Sequence, residues 1–103
     1  MANTNINAKV LPSATTYTTL YTVTNNFTGN VIAANVSTST AKIRIAMRPL
    51  GAAIDNSHFL IYDYILPAGF NYIIHGLTLN STDVITVYTD GSVAFNLFGM
   101  ERT

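Results

Sequence analysis

The sequence predicts an all-β domain, an antiparallel β-sandwich of jelly-roll-like form with about eight short strands. Short runs rich in β-branched and aromatic residues recur roughly every ten positions, bounded by Gly, Pro, Asn and Ser. Helical periodicity is nearly absent, and residues 52–54 offer one turn at most. A length of 103 residues supports a single domain.

Residues 1–7 are polar and Asn-rich, and read as a flexible arm or a strand lent to a neighbour, ahead of one sandwich domain over residues 8–103. Residues 17–23 form the first clear run, with Tyr17 and Tyr21 on one face, and Asn25, Asn26 and Gly29 mark a turn after it. Residues 31–36 follow, closed by the Ser/Thr cluster at 37–40. Residues 42–48 alternate cleanly. Ile43, Ile45 and Met47 point to one side, and Lys42, Arg44 and Arg48 to the other, so this strand has one buried and one wet face. Residues 49–57, with Pro, Gly, Asp and Asn, form the longest loop.

Strict alternation over residues 59–66 groups Phe59, Ile61, Asp63 and Ile65, with Leu60, Tyr62, Tyr64 and Leu66 opposite. Both faces are largely apolar, which places this strand centrally in the sandwich or against a partner. Pro67-Ala68-Gly69 supplies a turn, and short strands at 70–74 and 77–79 flank Gly76. Residues 84–88 and 93–98 flank Asp90-Gly91, which predicts a hairpin with a type I′ turn. Val93, Phe95 and Leu97 then face the core.

Charge narrows the function. Asp, Glu, Lys and Arg make up 10% of the chain, against about 25% in soluble domains. The net charge is zero, so the electrostatic footprint of a nucleic-acid binder is missing. Near-neutrality also favours association over repulsion. No run of about 18 apolar residues suggests a membrane span, and no basic-then-apolar leader is visible. Without Cys there is no disulfide framework, thiolate metal site or thiol nucleophile.

Catalysis needs convergent titratable groups, and few exist. His58 and His75 lie in different segments and would need a further ligand, such as Asp63, to hold zinc. Asp63 and Asp83 have no spacing that fixes a paired-carboxylate site, and Asp83 reads as a turn residue capping backbone amides. Gly91-Ser92 lacks the flanking pattern of a nucleophile elbow, and no Gly-rich phosphate loop occurs. Asn26, Asn35 and Asn80 each open a glycosylation acceptor triplet, but eleven Asn among abundant Ser and Thr produce such triplets by chance. The expectation is no enzyme, no metal and no cofactor. Asp63, a carboxylate in the most apolar strand, needs a partner if buried, and Arg44 or Arg48 is the obvious one.

The order of segments resembles a group of small bacteriophage virion proteins found in phages of marine bacteria and cyanobacteria. The matching stretches are Leu20-Tyr21-Thr22-Val23, Ala33-Ala34-Asn35-Val36-Ser37, the strand ending Met47-Arg48-Pro49, His58-Phe59-Leu60-Ile61-Tyr62-Asp63 and Leu77-Thr78-Leu79. Thr82-Asp83-Val84-Ile85-Thr86-Val87-Tyr88 and Phe95-Asn96-Leu97-Phe98-Gly99-Met100-Glu101 close the match, which spans about residues 20–101. Those relatives often carry Pro after the Leu-Tyr-Thr-Val stretch, where this chain has Thr24. The resemblance implies a virion component with no catalytic residues to transfer.

The expected function is that of a non-enzymatic capsid decoration or cement protein on the major capsid shell, assembled in the host cytoplasm into the virion. It would act as a small homo-oligomer such as a trimer, with other virion proteins as partners and no nucleic acid or membrane. A tail, baseplate or fibre-associated adaptor is the alternative, and a carbohydrate-binding module using Tyr62, Tyr64 and nearby Asn side chains is the second. Six Tyr and five Phe exceed what so small a core can hold, and Tyr suits protein interfaces. The candidate interface residues are Phe59, Ile61, Tyr62, Asp63, Tyr64, Tyr21, Arg44 and Arg48.

Overall fold

The structure, a computed structural model, describes residues 3–102. Its strands are β1 (Asn3–Val10), β2 (Thr18–Thr22), β3 (Asn26–Asn35), β4 (Ala41–Arg48), β5 (Phe59–Leu66), β6 (Asn71–Leu79), β7 (Val84–Thr89) and β8 (Val93–Arg102). The antiparallel pairings nest: β4 with β5, β3 with β6, β2 with β7 and β1 with β8. The chain is one long hairpin with residues 49–58 at its tip. Rolling that hairpin brings β3 against β8 and β4 against β7. Two four-stranded sheets result, ordered β1-β8-β3-β6 and β2-β7-β4-β5. This winding is the jelly roll.

Only β4 and β5 are consecutive strands within one sheet; every other connection crosses between sheets. The crossings fall at two ends. The links after β2, β4 and β6 lie at the end that also holds Asn3 and Arg102; those after β1, β3, β5 and β7 lie at the other.

The inner faces follow the alternation read from the sequence where it is unbroken. Ile43 and Ile45 of β4, Ile85 and Val87 of β7, and Val93, Phe95 and Leu97 of β8 are fully or almost fully buried. Burying side chains of this size contributes roughly 1.5–3 kcal/mol each, which is how a small domain without staples holds together.

Several expectations are corrected. Residues 3–7 do not form an arm: they are the first part of β1, paired with β8 from Asn3↔Arg102 onward, while Met1 and Ala2 lie outside the described residues. The polar alternation hid this strand, because its outer face carries Asn3, Asn5 and Asn7 while Ile6, Ala8 and Val10 pack on the core. The Asp90-Gly91 hairpin does not form. Neither residue has positive φ, and β7 and β8 belong to different sheets. Asp90 instead pairs with Lys42, accepting from its N–H at 2.8 Å through the carboxylate and donating its own N–H to the Lys42 carbonyl. Residues 52–54 make no helical turn, since the short 3₁₀ turns lie on either side, at Pro49–Gly51 and Asn56–His58.

Glycine explains two more differences. Gly29 is not in a turn but in β3, directly opposite Gly99 of β8. A Cβ on Gly29 would come 2.5 Å from the Phe27 ring, so the two glycines make the space that ring occupies. Gly76, at φ +70°, is a bulge that lets residues 71–79 run as one strand rather than two.

Candidate functional site

β5 is one of the two edge strands of the second sheet and its register slips twice against β4. Ala46 faces Phe59 and Ile45 faces Ile61, so Leu60 is an extra residue. Ile43 faces Tyr64, so a second extra residue lies at Tyr62–Asp63, where Asp63 adopts φ +51°. Strict alternation therefore fails. Phe59, Tyr62 and Ile65 share the outer face, while Ile61 and Leu66 pack inward and Tyr64 turns to the rim. There Tyr64 meets Tyr72 of β6 with ring centroids 4.6 Å apart, tying the two edge strands together across the sandwich. The same effect separates Tyr17 from Tyr21: the register of β2 shifts between Thr19 and Tyr21.

Arg44 occupies the centre of the outer face of the second sheet, on β4 between β5 and β7. Its guanidinium lies 4.3 Å from the Tyr62 ring centroid and 4.4 Å from that of Tyr88. Nε donates to Asp63 Oδ1 at 2.6 Å, and an Nη donates to the Tyr17 hydroxyl at 2.7 Å. Tyr17 stacks on Tyr88 at 4.8 Å, and Phe59 sets its edge on Tyr62 at 4.9 Å. A planar cation that can stack and hydrogen-bond at once suits this position, and lysine would not. The hydrogen bond from Arg44, with its charge, holds the Asp63 carboxyl below the usual carboxylate range, although burial opposes this. The Arg44–Asp63 pairing anticipated from sequence is present, but at a half-exposed bulge rather than in the core. Tyr88 carries no functional signal in the sequence, because its place beside Arg44 depends on the β4–β7 pairing.

The basic stripe read from sequence is not an open one. Arg44 is engaged as described, and Arg48 bonds Thr86 Oγ1 and the carbonyls of Gly51 and Ala52. Arg48 thereby braces the loop at the hairpin tip. On that loop Leu50 has φ +54° and is 77% exposed, and its N–H donates to the Asp83 carboxylate at 3.1 Å. A left-handed leucine costs of order 1–3 kcal/mol and persists only where neighbours fix it, here from both sides. Asp83 also accepts from the Asn80 N–H at 2.9 Å, the capping role its turn position suggested.

Tyr21 belongs to a different place. It faces inward at the seam between β2 and β8, and its hydroxyl donates to Glu101. Glu101 is buried and also accepts from the N–H groups of Thr24 and Asn25, at 3.0 and 2.7 Å. Burial works against ionisation, but these donors outweigh it and hold the carboxyl below its ordinary range. Burial and the Glu101 charge push the Tyr21 phenol up. Glu101 was missed by sequence reasoning, although it continues the inward positions of Phe95, Leu97 and Gly99.

The remaining candidates for chemistry scatter. His58 accepts the Asp55 N–H at the start of a 3₁₀ turn, and His75 is exposed on β6. Among the described residues no group of three or more His, Cys, Asp or Glu could hold a metal ion. No protein-family model and no curated protein matches the chain.

The exposed large side chains along β5 and in the turn after it are apolar or aromatic. Leu60, Tyr62 and Ile65 of β5 are 43, 55 and 59% exposed, and Phe70, in the turn that follows, is 62% exposed. The only charge along β5 is Asp63, which Arg44 pairs.

Proposed function

We propose that the chain is a non-enzymatic structural subunit of a bacteriophage particle, a decoration or cement protein that packs against the capsid shell. The observation that carries the packing role is the β5 edge: an unpaired strand edge bearing Leu60, Tyr62 and Ile65, continued by Phe70. Such edges are commonly blunted by charge, bulges, proline or cover. β5 has two bulges and one carboxylate, but Arg44 pairs that carboxylate and the exposed side chains along the strand are apolar. Exposed aromatic and aliphatic side chains around one satisfied ion pair are the composition of an interface core. The resemblance of residues 20–101 to phage virion proteins supplies the particle as the setting. Binding only to the assembled shell would stabilise it by mass action, and repeated attachment would multiply modest contacts.

The sugar-binding alternative loses its platform. Tyr62 and Tyr64 lie on opposite sides of the Asp63 bulge, and Tyr64 is occupied by Tyr72.

The test is to purify particles with and without this protein and to heat both. Loss of the protein should lower the temperature of shell disruption, and adding back Ile65→Asp protein should not restore it. Equal heat stability of the two particles overturns the reading.

A further inference from the structure

The two ends of the sandwich carry complementary features. At one end the hairpin-tip loop presents Leu50, with Ile54 beside it in sequence at 37% exposure. The loop is braced by Arg48 and Asp83, so its apolar tip is held in place before any partner arrives. The loop's one carboxylate is Asp55, which is exposed. At the opposite end, where β1 finishes and β8 begins, a shallow, mostly apolar depression of about 280 Å³ is lined by Val10, Leu11, Ala94, Phe95 and Asn96, the Phe95 side chain itself being buried beneath it. Its one charged neighbour is Lys9. Leu11 lies there 61% exposed. The opposition of the two ends follows from register: Arg48 pairs with Val84 at the loop end of the second sheet, whereas Val10 pairs with Phe95 at the far end of the first.

We infer that this chain self-associates head to tail, the Leu50 loop of one copy seating in the Val10–Phe95 depression of the next, with Asp55 beside Lys9. The partner is a second copy because one molecule carries both halves, apolar tip against apolar hollow and negative charge against positive. It cannot seat its own tip, since the two lie at opposite ends of a body 45 Å long. An interface between unlike surfaces leaves one of each half unused in every pair, so it propagates into a ring or a stack. The inference deepens the assembly role proposed above by naming one partner.

The test uses the full chain in sedimentation equilibrium from about 1 µM to about 1 mM, the range of weak to moderate affinities. The natural sequence should gain mass with concentration. Leu50→Asn, which keeps a residue tolerant of the left-handed conformation, and Ala94→Arg, which fills the hollow, should each stay monomeric with unchanged thermal unfolding. An equimolar mixture of the two should form dimers and stop there, because it offers only one intact tip and one intact hollow per pair. Should Ala94→Arg fold poorly, Leu11→Asp takes its place in the mixture. Lys9→Asp and Asp55→Lys should each weaken association and together restore it. A natural chain that stays monomeric throughout, variants that associate as it does, or a mixture that stays monomeric overturns the inference. Particle heat stability reports separately on shell binding, so each reading can fail while the other stands.

Discussion

The Tyr21 hydroxyl donates to the Glu101 carboxylate across the seam between the two sheets, joining β2 of one to β8 of the other. Two backbone N–H groups, of Thr24 and Asn25, complete the set around the same carboxylate. The connection from β2 to β3 is thus folded around one buried negative charge, and that charge must be present for the donors to be satisfied.

Acid should therefore loosen the fold. The Glu101 carboxyl is held below its ordinary range in the folded protein, so it binds a proton less readily there than in the unfolded chain. Its contribution is fully present above the unfolded value, about 4.3, and is lost as pH falls through the lower folded value. Asp63 and Asp55 are shifted the same way, but Asp63 is partly and Asp55 fully exposed, and both add little. Thermal unfolding should be nearly constant from about pH 5 to 8 and drop below that. Glu101→Gln should lose about 1.5–3 kcal/mol at neutral pH and show a shallower acid dependence. An unchanged acid profile in that variant would place the sensitivity elsewhere.

Gly99 should not accept a side chain. A Cβ there would lie 2.6 Å from the Gly29 Cα and 2.9 Å from the Phe27 ring, and would press on the Thr28 carbonyl oxygen. Backbone on one side and a buried ring on the other leave no cheap movement. Gly99→Ala should cost at least the 1–3 kcal/mol typical of overpacking, read from denaturant midpoints. Gly69→Ala makes the control: no atom lies within 4 Å of its added Cβ, so only its φ of +77° opposes it and the loss should be smaller.

Arg44 should matter more for order than for stability. Its ion pair with Asp63 is partly exposed, and such pairs contribute about 0–1 kcal/mol. Its stacking between Tyr62 and Tyr88 fixes the rings on the outer face. Arg44→Lys keeps the charge and loses the plane, so unfolding should shift by less than about 1 kcal/mol while the near-ultraviolet dichroism of the tyrosines weakens. Asp63→Asn should alter stability as little, yet leave the rings stacked and the dichroism intact.

How much of this was legible depended on whether a strand kept its period. Residues 42–48 alternate without interruption inside the sheet, and Ile43 and Ile45 fell on the core side as read. In β5 the two extra residues, Leu60 and Asp63, each reverse the side on which the next residue points, so a two-residue period misassigned Tyr62 and Ile61. Nothing in the composition of that run announces a bulge. The number of strands agrees for offsetting reasons: the outward Asn residues of β1 resemble a disordered tail, while Gly76 resembles a break between strands and is a bulge inside β6. Asp90-Gly91 has hairpin chemistry, but each connection in a rolled hairpin other than its tip must change sheets, and that long-range demand outweighs the turn preference. The Arg44 cluster drew on three strands and the segment before β2, so only the Asp63 partnership could be anticipated.

Asn35 offers the sharpest test of the packing at the far end. It ends β3 and is buried, and its amide meets four partners. The Nδ2 donates to the carbonyls of Ser39 and Leu66 at 2.8 and 2.9 Å, while Oδ1 accepts from the Ser37 N–H and hydroxyl at 3.0 and 2.7 Å. Leu66 closes β5 in the other sheet, so this one side chain links the sheets and shapes the loop between β3 and β4. Asn35→Asp is nearly isosteric but would set a carboxylate oxygen against two carbonyl oxygens at a buried position. It should destabilise by about 3 kcal/mol or more at neutral pH and recover partly in acid, as the new carboxyl takes a proton and donates again. Asn35→Ala, which leaves the same carbonyls unpaired without adding charge, should lose about 1–3 kcal/mol with no acid recovery. Equal losses and equal pH profiles for the two variants would mean that the amide fills space there rather than matching hydrogen bonds.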